Sequence, residues 1–217
     1  MTLVVALARI RAAPAGSRSA GWRSLQGRLG RRLACEAAAR VNRSKAMHFE
    51  VTNSADSGPV VATCPEHALG TVVGITHSGS WVCGAAARGL ARLGIDVQVA
   101  EPRDVAQLAR FMNWNQLVGP LVDPAEDRDR FTHLWTLWEA AVKVDCRTVL
   151  AGTTPAFESL APRCRPGSEQ SWSAGGYSAQ SLRLDAGHWL TVIAPSMELP
   201  LLEFHRCDEL AGAEGAA

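Results

Sequence analysis

The stretch Phe131-Thr132-His133-Leu134-Trp135-Thr136-Leu137-Trp138-Glu139-Ala140-Ala141-Val142-Lys143 reads as a long helix. Phe131, Leu134, Trp135, Trp138 and Val142 recur at steps of three and four, which places them on one broad apolar stripe. Glu139 and Lys143 are four residues apart and lie together at the edge of that stripe. Upstream, Leu93-Gly94-Ile95-Asp96-Val97-Gln98-Val99 alternates as a strand does. Ile95, Val97 and Val99 fall on one face, and Asp96 and Gln98 fall on the other.

Moving outward, Met1 to Ala8 is an apolar run, too short to span a bilayer, and reads as an opening strand. Trp22, Leu25, Leu29 and Leu33 mark a second amphipathic helix, running to about Arg40, with Arg23, Arg28, Arg31 and Arg32 on its outer side. Phe49 to Thr63 holds strand-like valines broken by Asp56-Ser57-Gly58-Pro59. Gly70 to Ile75 is a further strand, and Trp81 to Ala87 reads as a second strand of the same sheet, although its glycines and alanines also allow a helix. Pro102 opens a helix through Val105, Leu108 and Met112, and 113–129 reads as loop. Gly152 to Gly176 is irregular and polar; strands at 181–184 and 189–194 then form a hairpin around Asp185-Ala186-Gly187. The tail after Glu209 is small residues and reads as frayed. The pattern predicts an α+β protein with a half at 1–90 and a half at 91–217, each with strands and one long helix.

The chain has 217 residues, 47% of them hydrophobic and 20% charged, with a formal net charge of +1. That composition suits a globular protein with a real core. It gives no overall field directed at nucleic acid or membrane. The six cysteines (Cys35, Cys64, Cys83, Cys146, Cys164, Cys207) lack CxxC spacing, so they read as thiols in a reducing cytoplasm rather than as disulfides or a zinc site.

Asp96 on a strand and Glu139 on a helix are two oxygen donors of the kind that hold magnesium beside phosphates. Lys143, one turn past Glu139, adds positive charge to the same place. That set suits phosphoryl chemistry, where positioning and charge neutralisation do most of the catalysis. The plain alternative is a surface Glu139–Lys143 pair with a solvated Asp96.

The motifs around these residues add to that reading. Ile75-Thr76-His77-Ser78-Gly79-Ser80-Trp81-Val82 comes first, then Gly94-Ile95-Asp96-Val97-Gln98, then Trp135-Thr136-Leu137-Trp138-Glu139-Ala140-Ala141-Val142-Lys143. Their order and spacing resemble the Sfp-type 4'-phosphopantetheinyl transferases, whose pattern runs S-H-S-G-x-W-V, G-[IV]-D-[IV]-E and W-[ST]-x-K-E-[AS]-x-x-K. The resemblance covers Gly74 to Lys143 and extends to the hairpin at 181–194. It implies a pseudo-dimeric fold of two similar α/β halves, with coenzyme A and magnesium between them. It also implies transfer of the phosphopantetheine arm to a serine of an acyl or peptidyl carrier protein, serving fatty-acid, polyketide or nonribosomal-peptide synthesis. Asp96, Gln98 and Glu139 match the metal positions. Glu139 also matches the base for the carrier serine, and Lys143 the lysine at the departing phosphate. His77 matches a contact to the 3'-phosphate of coenzyme A, with Arg23, Arg28, Arg31 and Arg32 as candidate cations for its phosphates. A cytoplasmic monomer is expected.

The chain departs from the pattern at two positions: the second acid of D-x-E is Gln98, and the lysine before Glu139 is Trp138. Ser57-Gly58-Pro59 stands where many relatives have Gly-Lys-Pro. These losses lower the charge around a pyrophosphate and leave a second reading open, a non-catalytic relative that binds coenzyme A or a carrier. A serine hydrolase is disfavoured, because no G-x-S-x-G elbow is present.

Overall fold

The computed structural model describes residues 2–10, 20–52, 61–64, 70–100, 107, 112, 114, 126–147, 153–196, 198 and 201–207. The chain divides into two compact units, residues 1–93 with 200–217, and residues 94–199. Both mix helix and sheet, as the α+β expectation requires.

The first unit holds a six-stranded sheet and one long helix. Its elements are β1 (Thr2–Arg9), α1 (Ala20–Asn42), β2 (Glu50–Thr52), β3 (Val61–Thr63), β4 (Gly70–Ser78), β5 (Trp81–Ala87) and β10 (Leu201–Arg206). The strand order is β10-β1-β5-β4-β3-β2. The pairs are antiparallel except β1 with β10, which runs parallel. Helix α1 lies across β1, β4 and β5. It buries Leu29, Leu33, Ala34, Ala37 and Ala38 there, against Val4, Ala6, Val82 and Ala86. A methyl group at Gly84 would stand 2.3 Å from the Ala34 backbone nitrogen, so glycine sets how closely this helix approaches the sheet. The expected cationic side is real: Arg23, Arg28, Arg31 and Arg32 are all exposed on α1.

The second unit holds a four-stranded antiparallel sheet in the order β6-β9-β8-β7. Its strands are β6 (Gly94–Val99), β7 (Gln170–Ala174), β8 (Tyr177–Asp185) and β9 (His188–Ala194). Helix α2 (Glu126–Val144) packs on β6 and β9, and the short α3 (Pro155–Leu160) packs on α2. The core beneath α2 gathers Leu134, Leu137, Trp138, Ala141, Phe157 and Ile193. Each large side chain fully buried there contributes about 1.5–3 kcal/mol.

Two sequence expectations change here. The stretch 152–176 is not irregular throughout, because it carries α3 and β7. Thr154 caps α3 by accepting from the Phe157 amide, Pro155 opens it, and the Asp145 carboxylate accepts the Ala156 amide at 2.9 Å. The loop expected to run to Asp129 ends earlier, because α2 begins at Glu126. The helix expected from Pro102 lies almost wholly outside the described residues.

Candidate active site

The candidate residues Asp96, Gln98, Glu139 and Lys143 all lie in the second unit, on β6 and α2. Gly94, Asp96 and Gln98 share one face of β6 by their two-residue spacing. A methyl group at Gly94 would lie 2.0 Å from the carbonyl oxygen of Ala140, so its absence lets α2 come down onto that face. The strand is therefore covered on both sides: Ile95 and Val97 are fully buried, and Asp96 is only 1% exposed. The plain alternative of a solvated aspartate therefore fails.

Once β6 and α2 are in contact, their repeats match. Two strand residues advance about 6.7 Å; four helix residues advance about 6 Å. Asp96 and Gln98 thus meet Lys143 and Glu139 as two successive rungs. In the first rung, the Lys143 ammonium donates to Asp96 Oδ1 at 2.6 Å and to the Ile95 carbonyl at 3.0 Å. In the second, the Gln98 amide donates to Glu139 Oε1 at 3.4 Å, and the Trp135 indole N–H donates to the same oxygen at 2.7 Å. Lys143 thus pairs across to the strand and not along its own helix with Glu139. A carboxylate taken out of water needs a counter-charge far more than an exposed one does.

The side-chain types are ones a hard divalent cation takes beside water and phosphate oxygens: two carboxylates and an amide, whose nitrogen is the atom that faces Glu139. The Lys143 ammonium against Asp96 shows that the buried carboxylate accepts a cation. Among the described residues no cluster of three or more His, Cys, Asp or Glu side chains could hold a metal ion. A site at β6 and α2 would depend on Gln98 as its third protein donor.

Trp138, which replaces the family's lysine, is buried at 1% exposure among Trp114 and Trp135, with ring centroids 6.2 and 5.0 Å away. It packs inward and supplies no charge. His77 is exposed at the end of β4, opposite Val82 on β5.

Sequence reasoning missed two features. Trp135 holds Glu139, although its i,i+4 spacing to Glu139 was a usable signal. His133 is fully buried, stacks on Trp189 at 4.3 Å and accepts the Gly167 amide at 3.1 Å through Nδ1. Its Nε2 lies 4.0 Å from the Cys164 sulfur. Burial, then the Arg183 charge, pulls the imidazole down to about 4. Burial pushes the Cys164 thiol up to about 12, against the smaller lowering effect of Gln170. An activated cysteine needs the opposite shift, so this pair is structural.

Against known proteins, the chain is 35% identical over 79 residues to a protein named 4'-phosphopantetheinyl transferase psf-1, from Bacillus pumilus. The chain resembles the 4'-phosphopantetheinyl transferases. The match covers 36% of this chain and 33% of that relative, so the chain spans about a third of the length of the transferase it matches. No family model matches the chain. Among the described residues no helix is long and apolar enough to cross a membrane.

Proposed function

We propose that the protein transfers the 4'-phosphopantetheine group of coenzyme A to a serine of an acyl or peptidyl carrier protein, releasing 3',5'-ADP. The observation that carries this reading is the pair of rungs between β6 and α2, which gathers two carboxylates, an amide and an ammonium at the motif positions. In this reading the serine hydroxyl attacks the β-phosphate of the pyrophosphate and its proton passes to Glu139. Trp135 and Gln98 hold the Glu139 oxygen in place. Lys143 offsets the charge that builds on the departing phosphate. Asp96, Glu139 and Gln98 are the residues that would hold magnesium, which supplies charge neutralisation at the two phosphates. His77 serves the 3'-phosphate, and Arg23, Arg28, Arg31 and Arg32 are the cations offered to the remaining phosphates. A pseudo-dimeric fold, the monomeric state and the cytoplasmic location belong to the same proposal.

Gln98 and the inward-packed Trp138 favour a second reading, a catalytically degenerate relative that binds coenzyme A or a carrier without transfer. One experiment separates the two. The protein is incubated with magnesium, coenzyme A and a panel of apo carrier domains, and each carrier is weighed as an intact protein. A phosphopantetheine increment on at least one carrier is the expected result. Binding of coenzyme A with no increment on any carrier selects the degenerate reading, and neither binding nor transfer removes both.

A further inference from the structure

We infer that Lys143 is a built-in place-holder for the divalent cation: its ammonium competes with that ion for the Asp96 carboxylate, and loading the site requires Lys143 to let go. The inference rests on the proposed function for the identity of the competing ion, and it adds a conformational step to the same site.

Three observations carry it. The first is the depth of the contact. The Asp96 side chain is 2% exposed and its Oδ1 lies 2.6 Å from the Lys143 nitrogen, so the ammonium occupies the position of a cation against a buried anion. The second is the shape of the hold. Lys143 also donates to the Ile95 carbonyl, which aims the nitrogen along the strand at Asp96 and leaves Glu139 to Gln98 and Trp135. Yet the lysine side chain is 37% exposed, so its stem has open space to swing away.

The third is the choice of residue. Of the 22 basic residues, only Lys45 and Lys143 are lysine and all the others are arginine. A planar guanidinium presents five fixed donors and stays bound in a fork. An ammonium on four methylenes is a compact point charge whose stem can rotate away from one partner and toward another. Position 143 keeps the second kind in a chain that uses the first at every other basic position but 45.

Gln98 sharpens the competition. With a neutral amide there, Asp96 and Glu139 are the two anions of the rungs, and Lys143 offsets one of them. An incoming divalent ion therefore meets a site half neutralised by its own lysine. Displacing that lysine frees Asp96 and sends a positive charge outward, where a phosphate-bearing substrate can meet it.

The two lysines make the test direct. The full-length protein is trace-acetylated with and without saturating magnesium chloride, and the Lys143-to-Lys45 labelling ratio is read by peptide mass spectrometry, with the exposed Lys45 as internal standard. A salt-bridged ammonium is shielded, so magnesium should raise the ratio about threefold or more. Asp96→Asn should show a raised ratio without any metal. As a second measurement, manganese binding followed by electron paramagnetic resonance should be about tenfold tighter in Lys143→Met than in wild type, because the competing charge is gone. A labelling ratio that magnesium leaves unchanged or lowers overturns the inference, as does manganese binding that is equal or weaker in Lys143→Met. Labelling of the wild type stands even if the methionine variant folds poorly. A protein that transfers phosphopantetheine with a magnesium-independent ratio keeps the proposed function and loses the place-holder. One whose ratio responds while no carrier is modified does the reverse.

Discussion

The two units solve the same packing problem and put different chemistry at the contact. In each, one long helix lies on a sheet, and a glycine on a strand lets the backbones close: Gly84 against Ala34 in the first unit, Gly94 against Ala140 in the second. Around Gly84 the buried strand residues are alanines, a cysteine and a valine, and α1 turns its arginines outward. Around Gly94 the next two positions on the same strand face are Asp96 and Gln98, and α2 answers them with Lys143 and Glu139. The same architecture gives a purely structural contact in one unit and a polar, charged one in the other. The difference lies in two strand positions and two helix positions.

The largest expected effects break both contacts. Gly84→Ala and Gly94→Ala each push a methyl into backbone, which cannot yield as a flexible side chain can, and each should cost about 3 kcal/mol. Urea unfolding would measure both. The comparison predicts similar losses of stability. It also predicts that Gly94→Ala alone pulls the two rungs apart, which appears as weaker manganese binding at a temperature where the variant is still folded.

Of nearly the same size is a pH effect confined to the second unit. The folded His133 titrates at about 4, against 6.5 for an unperturbed histidine. Between those values the unfolded chain binds the extra proton and the folded chain does not. The contribution is therefore intact above pH 6.5 and is lost as the pH falls toward 4, for a total of about 3 kcal/mol. Stability of the wild type and of His133→Gln, measured from pH 7 to pH 4, should converge as the pH drops. Parallel curves would contradict the buried neutral imidazole.

Smaller effects sharpen the contrast. Gln98→Glu restores a third acid beside Glu139 and should tighten magnesium binding about tenfold; an unchanged metal requirement would count against Gln98 as a donor. Gly27 on α1 has nothing within 4 Å of where a methyl would sit. Gly27→Ala should therefore raise stability by about 0.5–1 kcal/mol, the opposite sign to Gly84→Ala on the strand below.

How much of this was legible in the sequence depends on how each element buries itself. Helices α1 and α2 follow from periodicity, because each has one face in a core; β6 follows from its alternation, and β4, β5 and β9 show as apolar runs between turn residues, because β5 is buried at every residue and β9 at nearly every one. Edge strand β7 escaped notice because most of its residues are only half-buried and show no alternation. Helix α3, at six residues, is too short to display a helical stripe and is held by its cap and by Asp145. At the site, the four residues were legible as a motif, but their partners were not. The spacing of Glu139 and Lys143 suggests a local helix pair. Burial of Asp96 redirects the lysine across to the strand, and only the approach allowed at Gly94 reveals that.

In the proposed function, phosphopantetheine transfer takes place at the rungs between β6 and α2. The most direct measurement is single-turnover transfer to an accepted apo carrier, comparing wild type with Glu139→Gln, each verified as folded by circular dichroism. Transfer by the wild type is expected, with a fall of about a hundredfold or more in the variant, from loss of the group that takes the serine proton. Transfer at an unchanged rate by Glu139→Gln would place the chemistry somewhere else in the molecule.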